Sequence, residues 1–201
     1  FIFLLETLIT DVHINFLNFF LENKIFATAF TILCVALLTQ AFNIIDGLNG
    51  LSMGCYLIVS ISICYVCLAV KDYALITIIM ITIGCIIGCF LFNFPKSFIF
   101  LGDGGAYFIG SFLSFILILL TQRNDDVSPF YAFLIISYPV YETIRSFIRR
   151  VWISKNIGFK PDNEHLHSLI FKLIAFKNKN HLTNPFSSLI VLSFQALIAF
   201  W

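Results

Sequence analysis

The sequence predicts an all-α, polytopic membrane protein, built as a bundle of transmembrane helices. The composition is 60% hydrophobic and only 11% charged, and the mean hydropathy of +0.97 lies far outside the range of soluble domains. Apolar runs also recur along the chain at about 20 residues, the length that an α-helix needs to cross a hydrocarbon core of about 30 Å. Together these observations exclude an ordinary soluble enzyme.

Five apolar runs are long enough to span a membrane, and they cover about 25–43, 51–70, 73–92, 105–121 and 129–148. A sixth starts at about 184 and continues to 201, and residues 1–9 resemble the end of a further span. We therefore expect 1–201 to be a single integral-membrane domain, the C-terminal portion of a larger multi-span protein. Pro139 lies inside the fifth run, where we expect a kink with neighbouring groups covering the freed carbonyl.

Two weaker patterns also concern helices. The pair Gly84 and Gly88, spaced by four, is typical of a close helix–helix contact. Between Leu166 and Phe176, apolar residues recur at helical spacing, which predicts an amphipathic helix at the membrane interface.

The connections between the spans should alternate between two sides of the membrane. One side receives 43–50, 93–104 and 149–183, and the other receives the connections at 22–24, 71–72 and 122–128. The first side holds most of the cations: Lys96, Arg145, Arg149, Arg150, Lys155, Lys160, Lys172, Lys177 and Lys179. Since an excess of Lys and Arg marks the cytoplasmic face, we expect this side to be cytoplasmic.

The first cytoplasmic connection contains Asn43, Asp46 and Asn49 at a spacing of three, with glycines at 47 and 50. Polar side chains are costly beside hydrocarbon, so such a cluster usually marks a functional site. If the helix continues through them, the three side chains share one face. The alternative is a polar loop with glycine turns.

The second connection ends in Asp103, flanked by Gly102, Gly104 and Gly105 at the start of the fourth run. A carboxylate next to exposed backbone N–H groups suits Mg²⁺ together with phosphate. The alternative is a glycine-rich turn with Asp103 as a helix N-cap. Phe100 lies three residues earlier, but in a chain with 25 Phe its spacing alone carries no information.

The third connection contains a polar stretch from Lys160 to His167, preceded by Arg145, Arg149 and Arg150. His165 and His167 can donate hydrogen bonds to phosphate oxygens, and the cations can neutralise a polyanion. The alternatives are a zinc site or a basic loop that lies on anionic lipid.

These clusters, in this order and on one side, resemble the polyprenyl-phosphate N-acetylhexosamine-1-phosphate transferases (the WecA/MraY superfamily, glycosyltransferase family 4 in broad naming). The resemblance rests on Asn43-x-x-Asp46-Gly47-x-Asn49-Gly50, on Phe100-Leu101-Gly102-Asp103-Gly104-Gly105 and on Pro161-Asp162-Asn163-Glu164-His165-Leu166-His167. The third motif is closer to the N-acetylglucosaminyl branch, which uses UDP-N-acetylglucosamine and undecaprenyl phosphate, than to the muramoyl-pentapeptide branch.

The resemblance implies a Mg²⁺-dependent enzyme, with Mn²⁺ as an alternative, that moves an N-acetylhexosamine 1-phosphate from a UDP-sugar to undecaprenyl phosphate and releases UMP. Such a reaction initiates a lipid-linked cell-envelope glycan in the bacterial inner membrane, with the active site on the cytoplasmic face. A homodimer is compatible with the family, and we expect no nucleic-acid partner. The implied catalytic residues are Asp46, Asp103 and His165, and the implied metal ligands are Asp103 and Asn43. The implied substrate contacts are Asn49, Phe100, Lys160, His165, His167, Arg149 and Arg150.

The sequence departs from the family pattern at three points. Asn49 replaces an Asp of the first motif, Ser168 replaces a His of the third, and the family's upstream Asp-Asp pair has no counterpart, since Thr10-Asp11 is no substitute. We therefore expect that 1–201 alone is inactive. The alternative functions are a phospho-N-acetylmuramoyl-pentapeptide transferase, a transporter of an anionic lipid or nucleotide sugar, and a non-catalytic membrane scaffold.

Overall fold

The computed structural model describes residues 7–149, 165–177 and 182–200. Within these ranges the regular structure is helical and contains no strand, which confirms the all-α prediction. The helices are α1 (Asn15–Leu21), α2 (Lys24–Ile45), α3 (Leu51–Ala69), α4 (Tyr73–Asn93), α5 (Gly102–Arg123), α6 (Pro129–Ile135), α7 (Ser137–Ile148), α8 (Leu166–Lys177) and α9 (Thr183–Ala199).

Four helices, α2 to α5, are long and apolar enough to cross a membrane, and they correspond to the first four predicted spans. The fifth predicted span is divided at Ile136 into the shorter helices α6 and α7. The break follows from Pro139, which has no N–H for the carbonyl of Ile135. That carbonyl instead accepts a hydrogen bond from Nε2 of Gln195 at 2.6 Å. The predicted kink and its covering group are both confirmed.

The bundle packs α2 against α5 and α7, and α3 against α4 and α9. The helices α2 and α5 approach closely at Gly110, where an added Cβ would lie 2.9 Å from the Cα of Thr39 and 3.0 Å from the carbonyl oxygen of Leu38. By contrast, a Cβ added at Gly84 or Gly88 would meet nothing within 4 Å. The predicted close contact at those two glycines is therefore wrong within the described part of the chain.

The end of the bundle opposite the polar connections is held by Asp72. Its buried carboxylate accepts the N–H of Leu75 at the start of α4, and it pairs with Arg123 at 3.3 Å. This contact places the connection at 71–72 beside the end of α5, as the alternating arrangement predicted. A helix is present at the predicted place as α8, where Ile170 packs against the core while the side chain of Leu173 is exposed, and its position at the membrane interface stays a prediction.

Candidate active site

The first polar cluster is divided by the end of α2. The helix ends at Ile45, and Asp46 leaves helical geometry with φ −77° and ψ 36°. Asn43 therefore stays on the helix, whereas Asn49 lies in the turn that leads to α3. The turn closes at Gly50, whose φ of +71° is a left-handed conformation that favours glycine. Because the helix does not continue through all three residues, they do not share one helical face, and Asn49 has different partners from Asn43.

The first and second clusters meet through Asn43 and Asp103, which are 60 residues apart in the chain. Nδ2 of Asn43 donates a hydrogen bond to Oδ1 of Asp103 at 3.0 Å. Gly102, with φ +68°, turns the chain into α5 and places the exposed Asp103 in its first turn. The N-cap is Leu101 rather than Asp103, so the carboxylate is not used for capping by its own helix.

The carboxylates of Asp46 and Asp103 repel each other. Partial burial and the repulsion from Asp103 raise the pKa of Asp46 to about 7. Among the described residues, no three His, Cys, Asp or Glu side chains are grouped to hold a metal ion. Two carboxylates and a carboxamide nevertheless suit Mg²⁺, which keeps several water ligands and takes others from substrate phosphates. A divalent cation here would also relieve the repulsion.

The turn after α2 is fixed by asparagine side chains from other helices. The carboxamide of Asn93, which is 5% exposed, accepts the N–H of Gly50 and donates to the carbonyl of Ile99, so it links the first and second clusters. Asn49 donates its side-chain amide to the carbonyl of Pro95 at 2.9 Å, and its backbone N–H to Oδ1 of Asn184 at 2.8 Å. The sequence analysis did not identify Asn93 or Asn184.

The two histidines of the third cluster lie beside the first cluster. The rings of His165 and His167 are stacked, with centroids 5.3 Å apart and an interplanar angle of 2°. Nε2 of His167 would lie only 2.8 Å from a Cβ added to Gly47, so the ring touches the turn of the first cluster. Burial lowers the pKa of His167 to about 4, although Glu142 opposes this shift.

A family model described as glycosyl transferase family 4 matches residues 1–121. The chain belongs to glycosyl transferase family 4. The matched range contains the first two motifs of the family, and the third lies beyond it. The first two motifs and the described part of the third, His165 to His167, come together at one end of the bundle.

The chain is also similar to individual proteins whose names describe transferases of this kind. The chain is 32% identical to an undecaprenyl-phosphate alpha-N-acetylglucosaminyl 1-phosphate transferase of Thermotoga maritima, over 69% of this chain and 41% of the relative. It is 29% identical to a probable undecaprenyl-phosphate N-acetylglucosaminyl 1-phosphate transferase of Bacillus subtilis, over 73% and 40%. It is 30% identical to a phospho-N-acetylmuramoyl-pentapeptide-transferase of Lactococcus lactis, over 83% and 49%. The chain thus aligns with less than half the length of these relatives.

The family resemblance also implied four further residues of the site. Phe100 is 75% exposed on the segment before α5, and Arg149 is the C-cap of α7. Arg150 and Lys160 lie outside the described residues, as does most of the third family motif.

Two side chains of α7 contact the histidines of the third family motif. Glu142 is fully buried and binds His165, and Tyr138 approaches His167. The sequence analysis missed both. Glu142 carried a usable signal, because it is a lone carboxylate inside the apolar run 129–148, and such groups usually mark a site.

Proposed function

We propose that the full-length protein transfers an N-acetylhexosamine 1-phosphate, most simply N-acetylglucosamine 1-phosphate, from a UDP-sugar to undecaprenyl phosphate with release of UMP. The observation that carries this proposal is the contact between Asn43 and Asp103, which joins the first two family motifs, with His167 packed on the first. The names of the relatives supply the sugar phosphate and the lipid acceptor.

The acidic end of the site would hold Mg²⁺. Asp103 and Asn43 are the proposed ligands, with Asp46 beside them, because the reaction brings two polyanions together and carboxylate oxygens are the ligands that Mg²⁺ prefers. When bound, the ion would neutralise the diphosphate of the donor. Asp46 would either orient a substrate or accept a proton.

The remaining residues would bind the donor. Because the amide nitrogen of Asn49 is bonded to Pro95, its Oδ1 is the atom that would accept the imide N–H of uracil. Exposed Phe100 would stack on the uracil ring. His165 and His167, with Arg149, Arg150 and Lys160, would bind the diphosphate.

The site lies at the end of the bundle that receives the cation-rich connections. The excess of Lys and Arg there supports a cytoplasmic active site in the bacterial inner membrane. Cytoplasmic access suits a UDP-sugar, since a nucleotide donor reaches the site from water while the lipid acceptor approaches from the bilayer.

A phospho-N-acetylmuramoyl-pentapeptide transferase is the second candidate. Its support is the relative of Lactococcus lactis, which aligns over 83% of this chain. The third motif weighs against it. The motif of the muramoyl-pentapeptide branch has consecutive histidines, whereas here Leu166 and Ser168 stand between and after His165 and His167. The choice of UDP-sugar donor distinguishes the two.

The test uses membranes that contain the full-length protein, undecaprenyl phosphate, Mg²⁺ and either UDP-N-acetylglucosamine or UDP-N-acetylmuramoyl-pentapeptide. We expect UMP release with the first donor, dependent on lipid and metal. Asp103→Asn should lower kcat by roughly 10²-fold or more, because a metal ligand contributes several kcal/mol to the transition state. The matched control is Asp125→Asn, an exposed carboxylate at the other end of the bundle.

Three outcomes would change the proposal. Turnover with only UDP-N-acetylmuramoyl-pentapeptide would show that the protein is a phospho-N-acetylmuramoyl-pentapeptide transferase. Lipid-dependent turnover that survives Asp103→Asn would refute the assigned metal ligand. No UMP with either donor, or with other UDP-sugars, would favour the scaffold.

A further inference from the structure

Helix α7 contains a buried carboxylate that belongs to none of the three motifs. Glu142 is 0% exposed, and its two oxygens bind two different groups of the third motif. Oε1 accepts the backbone N–H of Leu166 at 2.7 Å, and Oε2 lies 3.2 Å from Nδ1 of His165. A buried carboxylate is costly unless it is bonded in this way, so its partners define what it does.

The bond to Leu166 orients the carboxylate. Leu166 is the first residue of α8, and the first N–H groups of a helix have no partner within it. An acidic group at this position also meets the positive end of the helix dipole. The N–H of Leu166 can only donate, so Oε1 accepts from it and Oε2 is the oxygen that faces the histidine.

The bond to His165 selects a tautomer. An ionised carboxylate only accepts hydrogen bonds, so Nδ1 of His165 must be the nitrogen that carries the proton. The neutral ring then has its lone pair on Nε2. A further proton on that atom converts it into a donor for an anionic oxygen.

The second histidine is approached from the same helix. The hydroxyl of Tyr138, one turn before Glu142, lies 3.4 Å from Nδ1 of His167, a longer and weaker contact. One face of α7 thus reaches the Nδ1 atoms of both stacked rings, while Nε2 of His167 faces Gly47 in the first cluster.

We propose that Glu142 is a positioning residue that fixes the ring of His165 with a proton on Nδ1, so that Nε2 is the nitrogen that takes up or gives up the second proton. The role in catalysis rests on the proposed function. The structural part, the tautomer, does not, and it can be measured separately.

The first test is ¹⁵N NMR of histidine-labelled full-length protein in lipid nanodiscs, at a pH where the ring of His165 is neutral. The signal is assigned by its loss in His165→Asn. We expect Nδ1 to be protonated in the wild type. In Glu142→Gln, the amide oxygen must still accept from Leu166, so its N–H₂ faces Nδ1 and the proton should move to Nε2. Glu22→Gln, an exposed site on the opposite side, should leave the signal unchanged.

A wild-type ring protonated on Nε2 overturns the proposal, even if Glu142→Gln fails to accumulate. So does a tautomer that is the same in both proteins. A movement of the proton confined to Glu142→Gln supports it, because a merely structural loss of packing would not exchange one ring nitrogen for the other.

The second test is a double-mutant cycle on UMP release from UDP-N-acetylglucosamine. Glu142→Gln alone should lower kcat about 10- to 100-fold, the usual range for a residue that orients a functional histidine. In a His165→Asn background it should add less than about 2-fold, because groups that act as a unit are not additive. Losses that multiply would refute action through His165. If the wild type releases no UMP, the proposed function fails, while the NMR experiment still decides the role of Glu142.

Discussion

Gly110 is the position where one added methyl group should separate the two helices that carry the acidic site. In Gly110→Ala the new Cβ would lie 2.9 Å from the Cα of Thr39, 3.0 Å from the carbonyl oxygen of Leu38 and 3.1 Å from the Cβ of Phe42. Two of these atoms are backbone and cannot rotate away. The helices α2 and α5 must therefore move apart by a few tenths of an ångström.

The free energy of unfolding follows from two opposing effects. Overpacking of this kind costs about 1–3 kcal/mol, while Ala in a helix is favoured over Gly by about 0.5–1 kcal/mol. Gly110→Ala should therefore destabilise the protein by about 1 kcal/mol, and by about 2.5 kcal/mol at most. Gly84→Ala and Gly88→Ala meet no neighbour within 4 Å, so each should be neutral or stabilising by about 0.5–1 kcal/mol.

Activity should fall together with stability. Asn43 lies one turn beyond Thr39 on α2, and Asp103 lies two turns before Gly110 on α5. A separation at Gly110 would thus lengthen the 3.0 Å contact between Asn43 and Asp103. Misplacement of about 1 Å can reduce a rate about 10²-fold, so even a smaller shift should lower kcat measurably.

The assay is an SDS titration of the full-length protein in mixed micelles, followed by circular dichroism, with UMP release measured on the same preparations. The three alanine variants form a matched set, since each adds the same methyl group to a helical glycine. If Gly110→Ala is as stable as Gly84→Ala and equally active, the packing argument for α2 and α5 is wrong.

Two further predictions concern the site. Asn49→Asp restores the residue of the family motif, yet it should destabilise the protein by about 1–2 kcal/mol, because a carboxylate cannot donate to the carbonyl of Pro95. Asn184→Asp is its control, since the oxygen that accepts from Asn49 is kept; equal effects of the two would contradict this. Because the pKa of His167 is lowered to about 4, the unfolded chain binds more protons between pH 6.5 and pH 4. The contribution of His167 to the free energy of unfolding should be fully present above pH 6.5 and should fall by roughly 3 kcal/mol as the pH is lowered to 4. In His167→Asn, this part of the pH dependence should be absent.

Much of the fold follows from the apolar pattern. Runs of apolar residues fix the four long helices, and their alternation puts the connections at 43–50 and 93–104 at one end. The kink was predictable because proline removes a specific hydrogen bond, and a bundle has to satisfy the carbonyl that is left. That 1–201 forms one domain of a larger protein remains a prediction.

Other features depend on which helix surfaces pack together. The periodicity of apolar residues shows that a helix has a buried face but does not show which helix covers it. The end of α2 at Ile45 precedes any glycine, so the spacing of Asn43 and Asn49 suggested a shared face that is absent. Gly110, which lies against α2, is flanked on α5 by the buried small residues Ala106 and Ser114 at a spacing of four, a stronger signal than the pair at Gly84 and Gly88. Asn93 was overlooked because it lies at the end of a predicted span, where a polar residue is unremarkable.

The motifs of the site are held in place by side chains that lie outside them. Asn93 and Asn184 bind the backbone of the first turn, and Glu142 binds the backbone at Leu166. Backbone groups that leave regular structure at the end of a membrane bundle need such partners, because an unpaired buried group costs about 1–3 kcal/mol. Substituting a partner should therefore displace a motif whose own residues are intact. It follows that the three motifs alone do not define this site, and that loss of Asn93 should resemble loss of a motif residue.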